Sequence, residues 1–319
     1  MFAAIIRLTY VTSALLSLQL NIVHGEPHAI RLATDSHTAG VPIDSGAVAK
    51  SEEIQTQPHH QGRSFASVEI RGMRIDVVSR QQTVDHLIQC SDRNIGGWVV
   101  TPNLDILRRY TKSVSFRNLV ATSTLNVADG MPLVWASRVM GRPLPERVNG
   151  TDLMVDVCEA AAKAGKSVFF LGGNHGSAEK TIEVLSAQIP DLKIAGHHCP
   201  EFGFENNVDD ISEIANILSE AKPEIVFVGL GSPKQDVLIN MLRLTFPEVW
   251  WLGIGISFSF IAGELPRAPE WAKKSGLEWL YRLISEPKRL AKRYLVQGLP
   301  FFIGTLLVAG YQRLFGRKS

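Results

Sequence analysis

Between residues 65 and 260, short apolar and β-branched runs alternate with segments whose apolar positions recur at i, i+3, i+4 and i+7. The short runs predict strands over 67–78, 97–101, 124–128, 167–171, 192–196, 224–229 and 249–253. The periodic segments predict amphipathic helices over 103–119, 132–140, 151–164, 177–188, 210–221 and 233–246. Apolar strands alternating with helices predict an α/β fold, a Rossmann-like and mostly parallel sheet with helices on both faces. Ligands of such sheets meet the loops that leave the carboxyl ends of the strands, so those loops are the place to seek chemistry.

Both flanks break the pattern. Residues 8–23 carry no charge and follow Arg7, as a signal or membrane anchor would, or an extension without structure. Residues 24–64 have the Pro, Gly, Ser, His and Gln texture of a linker, in which His59-His60 reads as a solvated pair. Three regions follow: an apolar segment with a disordered linker (1–64), the core (65–263), and a basic and apolar C-terminal appendage (264–319). The appendage holds eleven Lys or Arg against four Glu, a net of +7. Between Arg293 and Arg313 it has no charge, and Gly298, Pro300, Gly304 and Gly310 argue against a straight helix there. A basic helix running into an apolar segment predicts attachment to an anionic membrane surface.

Composition narrows the classes. With 45% hydrophobic and 20% charged residues over 319 positions, the chain can bury a sizeable core. A formal charge of +2 gives no polybasic character, so nucleic acid is not an expected partner. Cys90, Cys158 and Cys199 are far apart, which makes neither a disulfide framework nor a zinc pattern and fits a reducing compartment.

Four loops at predicted strand ends carry candidate chemistry. In Thr101-Pro102-Asn103, Thr101 and Asn103 are each able to cap the next helix. Asp129-Gly130 is a turn dipeptide whose carboxylate, at a strand's carboxyl end, could also take a proton from an attacking hydroxyl. Gly172 and Gly173, in the run Leu171 to Gly176, open a helix whose N-terminus suits phosphate, although neither G-x-G-x-x-G order nor a P-loop lysine is present. In Gly229-Leu230-Gly231-Ser232-Pro233-Lys234-Gln235, Ser232 and Pro233 fit a helix start. Lys234 and Gln235 are then expected to face outward toward phosphate and sugar hydroxyls.

Taken together, ordered blocks over residues 65–294 resemble the WecG/TagA/CpsF glycosyltransferases (glycosyltransferase family twenty-six). The blocks are Thr101-Pro102-Asn103, Ala128-Asp129-Gly130, Pro143 to Val148 with Gly150 and Asp152-Leu153, Leu171-Gly172-Gly173, and Gly231 to Gln235. A final group holds Arg267-Ala268-Pro269, Trp271, Leu277-Glu278-Trp279, Arg282-Leu283, Glu286-Pro287, Arg289-Leu290 and Arg293-Tyr294. The resemblance implies a metal-independent, inverting transferase, with no cofactor and a UDP-sugar donor of the N-acetylmannosamine or uronic acid type. It implies an undecaprenyl-diphosphate-linked saccharide acceptor at the cytoplasmic face of the plasma membrane, in exopolysaccharide or other cell-surface polysaccharide synthesis. On the family pattern Asp129 matches the catalytic base and Thr101 its partner. Asn103, Arg147 and Gln235 match pocket positions, and Arg282 and Arg289 match residues that close over the donor phosphates.

The chain departs from the pattern in its last glycine-rich block. The family's Gly-Gly-x-Phe-Asp runs here Gly255-Ile256-Ser257-Phe258-Ser259, which leaves the sugar open, and Asp236 stands where a glutamate is usual. Two other classes stay open on the residues alone: a nucleotide-binding oxidoreductase of similar fold, and a non-catalytic membrane-binding module. A homo-oligomer is equally open.

Overall fold

The protein, described here by a computed structural model over residues 65–315, is built on a six-stranded parallel sheet. The apolar segment and linker predicted before residue 65 lie outside the described residues. The chain starts with an antiparallel hairpin, β1 (Ser67–Ile70) and β2 (Met73–Asp76), where one strand over 67–78 was expected. The reason is local: Arg71 and Gly72 both take positive φ (54° and 79°), the two-residue turn that joins twisted strands. A helix that the periodicity did not single out follows, α1 (Arg80–Ser91), opened by a capping box between Ser79 and Gln82.

The sheet comprises β3 (Gly97–Val100), β4 (Leu125–Asn126), β5 (Ser167–Gly172), β6 (Lys193–His198), β7 (Ile225–Gly229) and β8 (Trp250–Gly253). Its order is β4-β3-β8-β7-β5-β6, with every pairing parallel. Alternation sends side chains to two cores. Val226 and Val228 of β7 join Phe169, Leu171 and Trp251 on one face, while Ile225 and Phe227 join Val168, Phe170 and Trp250 on the other. Each fully buried side chain of this size contributes about 1.5–3 kcal/mol.

Two helices replace the single one expected over 103–119. Ser113 is extended (φ −120°, ψ 116°), ends α2 (Leu104–Lys112) and accepts the Phe116 N–H to start α3 (Val114–Val120). The later core helices are α4 (Met131–Val139), α5 (Gly150–Ala164), α6 (Ser177–Gln188), α7 (Val208–Ala221) and α8 (Lys234–Thr245).

The C-terminal part departs most from expectation. After the short helices Ser257–Ile261 and Glu270–Lys274 come Glu278–Ser285 and then one unbroken helical run, Pro287–Phe315. It absorbs Gly298 and Pro300 through a π-helical stretch, Lys292–Gly298, so that Pro300 sits in the first turn of the regular helix Leu299–Phe315. There the missing N–H costs nothing extra. Thr305 and Ala309 of this helix are buried, and Ala309 belongs to the same hydrophobic core as Leu133, Val134 and Ala136 of α4. Gly276 approaches Met131 and Trp135 so closely that a Cβ there would meet Met131 at 2.8 Å. The segment after 264 thus forms a wall of the core body.

Candidate active site

Asp129 stands just past the short strand β4, and backbone bonds fix it from three sides. Its own N–H donates to the Pro102 carbonyl (2.9 Å), the Val148 N–H donates to the Ala128 carbonyl (2.8 Å), and the Asn126 N–H donates to the buried Asp76 carboxylate (2.8 Å). The carboxylate faces a cavity of about 240 Å³ between the sheet edge and the C-terminal helices. Asn103, Arg147, Glu278 and Arg282 supply its polar groups, and Met131, Trp135, Tyr294, Leu295, Leu299 and Phe302 its apolar wall.

The electrostatics of this cavity set the acid apart. Burial pushes the Asp129 carboxyl up to about 7; the cation Arg147 opposes the rise, Glu278 adds to it, and Arg282 and a bond from the Gly150 N–H oppose it. Arg147 Nη1 pairs with Glu278 Oε2 at 2.7 Å, both side chains being largely buried. The cation that acts most strongly on Asp129 is therefore shared with a second carboxylate. That leaves the Asp129 carboxyl poised near neutrality, the range in which a general base works best.

A second cavity of about 490 Å³ opens farther along the same sheet edge, at the ends of β5, β7 and β8. Gly173, Gly229, Gly231 and Gly255 line it, with Asn174, Ser259, Glu264, Glu286 and Arg289. Gly172 and Gly173 have φ of 94° and 92°, and a Cβ on them would meet Leu230 at 2.7 Å and Phe258 at 3.0 Å. Only glycine fits there; Gly172 is buried beneath the cavity's loops, and Gly173 borders the cavity itself.

The structure distributes the sequence candidates unevenly. Asn103, Asp129, Arg147 and Arg282 share the first cavity; Gly173 and Arg289 lie in the second. Arg282 stacks over Phe260 (5.1 Å) with its Nε buried and unpaired, whereas Arg289 pairs with Glu286 at 2.6 Å, so the two arginines serve different cavities. Asn103 Oδ1 caps α2 through the N–H groups of Asp105 (3.0 Å) and Ile106 (3.1 Å), which leaves its amide nitrogen for a ligand. Thr101 is buried, and its hydroxyl donates to the Gly253 carbonyl at 2.9 Å, tying β3 to β8.

Gln235 does not face outward as expected. It is buried, and its Oε1 accepts from the N–H groups of Gly231 and Gly255, each at 3.1 Å, stapling two loops of the second cavity together. Gly253 makes room for its Nε2, which a Cβ there would meet at 2.7 Å. Lys234 turns away as well: it pairs with Glu205 and lies 4.7 Å from the Phe202 ring. Pro233 is the N-cap, so α8 begins at Lys234, one residue later than a Ser232 cap would place it.

Sequence reasoning missed Glu278 and Glu264 as site residues. Glu278 was visible in the block Leu277-Glu278-Trp279, but nothing in the chain order placed it opposite Arg147, 131 positions away. Also unforeseen were the ties of the C-terminal helix to α2, from Arg293 to Asp105 and from Arg108 to Gln297 (2.8 Å).

With this geometry in place, comparison with known proteins is informative. A sequence model of the glycosyl transferase WecG/TagA/CpsF family matches residues 68–314. The chain is 32% identical over 219 residues to an N-acetylglucosaminyldiphosphoundecaprenol N-acetyl-beta-D-mannosaminyltransferase of Bacillus spizizenii, covering 68% of this chain and 83% of the relative. It is 31% identical to the enzyme of that description in Bacillus subtilis (62% and 75% covered) and 28% identical to one in Staphylococcus aureus (75% and 91% covered).

Proposed function

The chain belongs to the glycosyl transferase WecG/TagA/CpsF family and is a glycosyltransferase; from that premise we propose the reaction it performs. It moves an N-acetylmannosamine-type sugar from UDP to the sugar of an undecaprenyl-diphosphate-linked acceptor, with inversion, at the cytoplasmic face of the membrane. The observation that carries this reading is Asp129, a carboxyl raised to about 7 at the base of a cavity whose far wall is apolar. The acceptor hydroxyl lies against Asp129, which takes its proton as the oxygen attacks the anomeric carbon. The bond from that carbon to the diphosphate breaks, and the charge gathering on UDP meets Arg289 at the glycine-lined cavity. A single displacement is favoured because the other carboxylates lining this cavity, Glu278 and Asp105, are held by Arg147 and Arg293 and are not free to act as nucleophiles. The names of the relatives supply the donor sugar and the acceptor class.

The test is a panel of UDP-sugars, including UDP-N-acetylmannosamine and a UDP-uronic acid, incubated with N-acetylglucosaminyl-diphosphoundecaprenol and followed by mass analysis of the lipid. One hexosamine added, with release of UDP, is the expected product. Activity should persist in EDTA, since arginines rather than a cation meet the leaving group. A lipid left unmodified by every donor overturns the reading, and a loss in EDTA restored by Mg²⁺ overturns the metal-independent part.

The pH dependence follows from the same groups. Asp129 acts as the carboxylate, so kcat/KM should rise with pH through about 7. Glu278 is one of the charges that hold this carboxyl up, and it also occupies Arg147. Glu278→Gln removes the repulsion and frees the cation, so the acidic limb should move to lower pH. A limb that stays in place would show that Glu278 does not act on the base.

A further inference from the structure

Glu264 lies at the rim of the glycine-lined cavity, directly after the turn at Gly263 (φ 73°). Its backbone N–H returns to the Ser259 carbonyl at 3.0 Å, which closes the short helix Ser257–Ile261. The side chain is exposed, yet neutral donors hold it from three directions. The buried Ser177 hydroxyl donates to Oε1, Asn174 Nδ2 donates to Oε2 at 3.1 Å, and the Ser259 hydroxyl reaches the same carboxylate. An exposed glutamate normally keeps its rotamer freedom, which is unfavourable to lose. Here two buried serines and an asparagine fix it in one pose, and no Lys or Arg pairs with it among the described residues.

Resting on the donor reading above, we propose that Glu264 is a specificity-determining residue that accepts a hydrogen bond from a hydroxyl of the nucleotide sugar. The chemistry selects a hydroxyl over the other groups of that ligand. A carboxylate repels the diphosphate, and it offers acceptors only, so it suits an O–H donor. Three of its roughly four acceptor positions are taken by protein, which leaves capacity on the side that faces the cavity. The bonds from Ser177, Ser259 and Asn174 hold its pKa below the ordinary glutamate value, so it stays ionised and its hydrogen bonds are charge-assisted. The neighbouring glycines place a bound nucleotide within reach, because Gly173, Gly231 and Gly255 line the same cavity.

Ribose and the transferred sugar both carry hydroxyls, and binding measurements on the full chain separate them. Calorimetry would use UDP, 2′,3′-dideoxy-UDP and UDP-N-acetylmannosamine with the parent and with Glu264→Gln, which keeps the shape and removes the charge. Losing the charge assistance of that hydrogen bond should weaken binding about 10-fold. A loss with UDP and UDP-N-acetylmannosamine but not with the dideoxy compound supports the proposal and assigns the ribose. A loss with UDP-N-acetylmannosamine alone supports it and assigns the sugar. Equal weakening of all three ligands would mean that Glu264 only holds the loop, and unchanged binding of all three would mean that it meets no ligand; either overturns the proposal. A parent that binds none of the three would instead bring down the donor reading itself.

Discussion

Replacing Asp129 by asparagine is expected to lower turnover about 10²–10⁴-fold while making the protein more stable above neutral pH. The first effect follows from the role as base proposed for it, since asparagine keeps the volume and the acceptor for the Gly150 N–H but cannot take a proton. The second follows from the raised carboxyl. In the unfolded chain this group ionises near its usual value of 3.8, and in the folded protein near 7. Its contribution to stability is therefore fully present below about pH 4 and is lost as pH rises through 7, because the folded state must then hold a buried charge. The amide has no such dependence. The melting temperature of the variant should match that of the parent near pH 4, exceed it at pH 8, and diverge between these limits. Each kcal/mol recovered raises Tm by about 2–4 °C for a chain of this size. A variant that is inactive and less stable at pH 8 would point to a structural carboxylate; one that turns over normally would remove Asp129 from the chemistry. Function and stability pull in opposite directions at this residue, as they do where a site holds a group in an unfavourable state.

How much of this was legible in the chain depends on the range of the interaction. The parallel sheet was legible because strands such as 225–229 read as continuous apolar runs, Ile225 to Val228 being buried on both faces. Asp129 stood out because a strand end followed by Asp-Gly is a local pattern, although that pattern alone reads equally as a turn. The hairpin at Arg71-Gly72 and the break at Ser113 were local too, but each turns on a backbone angle that residue type leaves open. Arg71 is not a residue one expects at positive φ. The partnerships were not legible. Arg147 with Glu278, Gln235 with Gly231 and Gly255, and Glu264 with Ser177 and Asn174 each join loops that only the sheet order brings together. Gln235 is the instructive case: its place in a recognisable block suggested an outward side chain, yet it is buried and its carboxamide oxygen accepts from two backbone N–H groups.

Membrane attachment should depend on one face of the last helix, and a second large effect is expected there. Ile303, Leu307 and Leu314 are 51%, 70% and 76% exposed, while Thr305 and Ala309, on the opposite side, are 2% exposed and pack against α4. At 100° per residue the three exposed positions fall within one narrow sector. The run Pro287–Phe315 is long and apolar enough to cross a membrane by length and composition. Crossing would require it to leave Trp135, whose ring lies 5.8 Å from that of Phe302, and the pocket it makes with α4. An orientation flat in the interface keeps those contacts and presents the exposed face to lipid, with the exposed Lys288 and Lys292 near its start to meet anionic headgroups. Changing Ile303, Leu307 and Leu314 together to glutamine removes apolar area worth at least about 1.5 kcal/mol per side chain if fully buried. Partition onto phosphatidylglycerol vesicles should therefore fall about 100-fold or more. Because none of the three lines the Asp129 cavity, transfer to a short-chain, water-soluble acceptor should be unchanged, and transfer to a vesicle-embedded acceptor should fall with the partition. Vesicle binding at the parent level would mean that lipid meets another surface. Loss of transfer to both acceptors would mean that the helix acts on the cavity itself, through the wall that Leu299 and Phe302 provide.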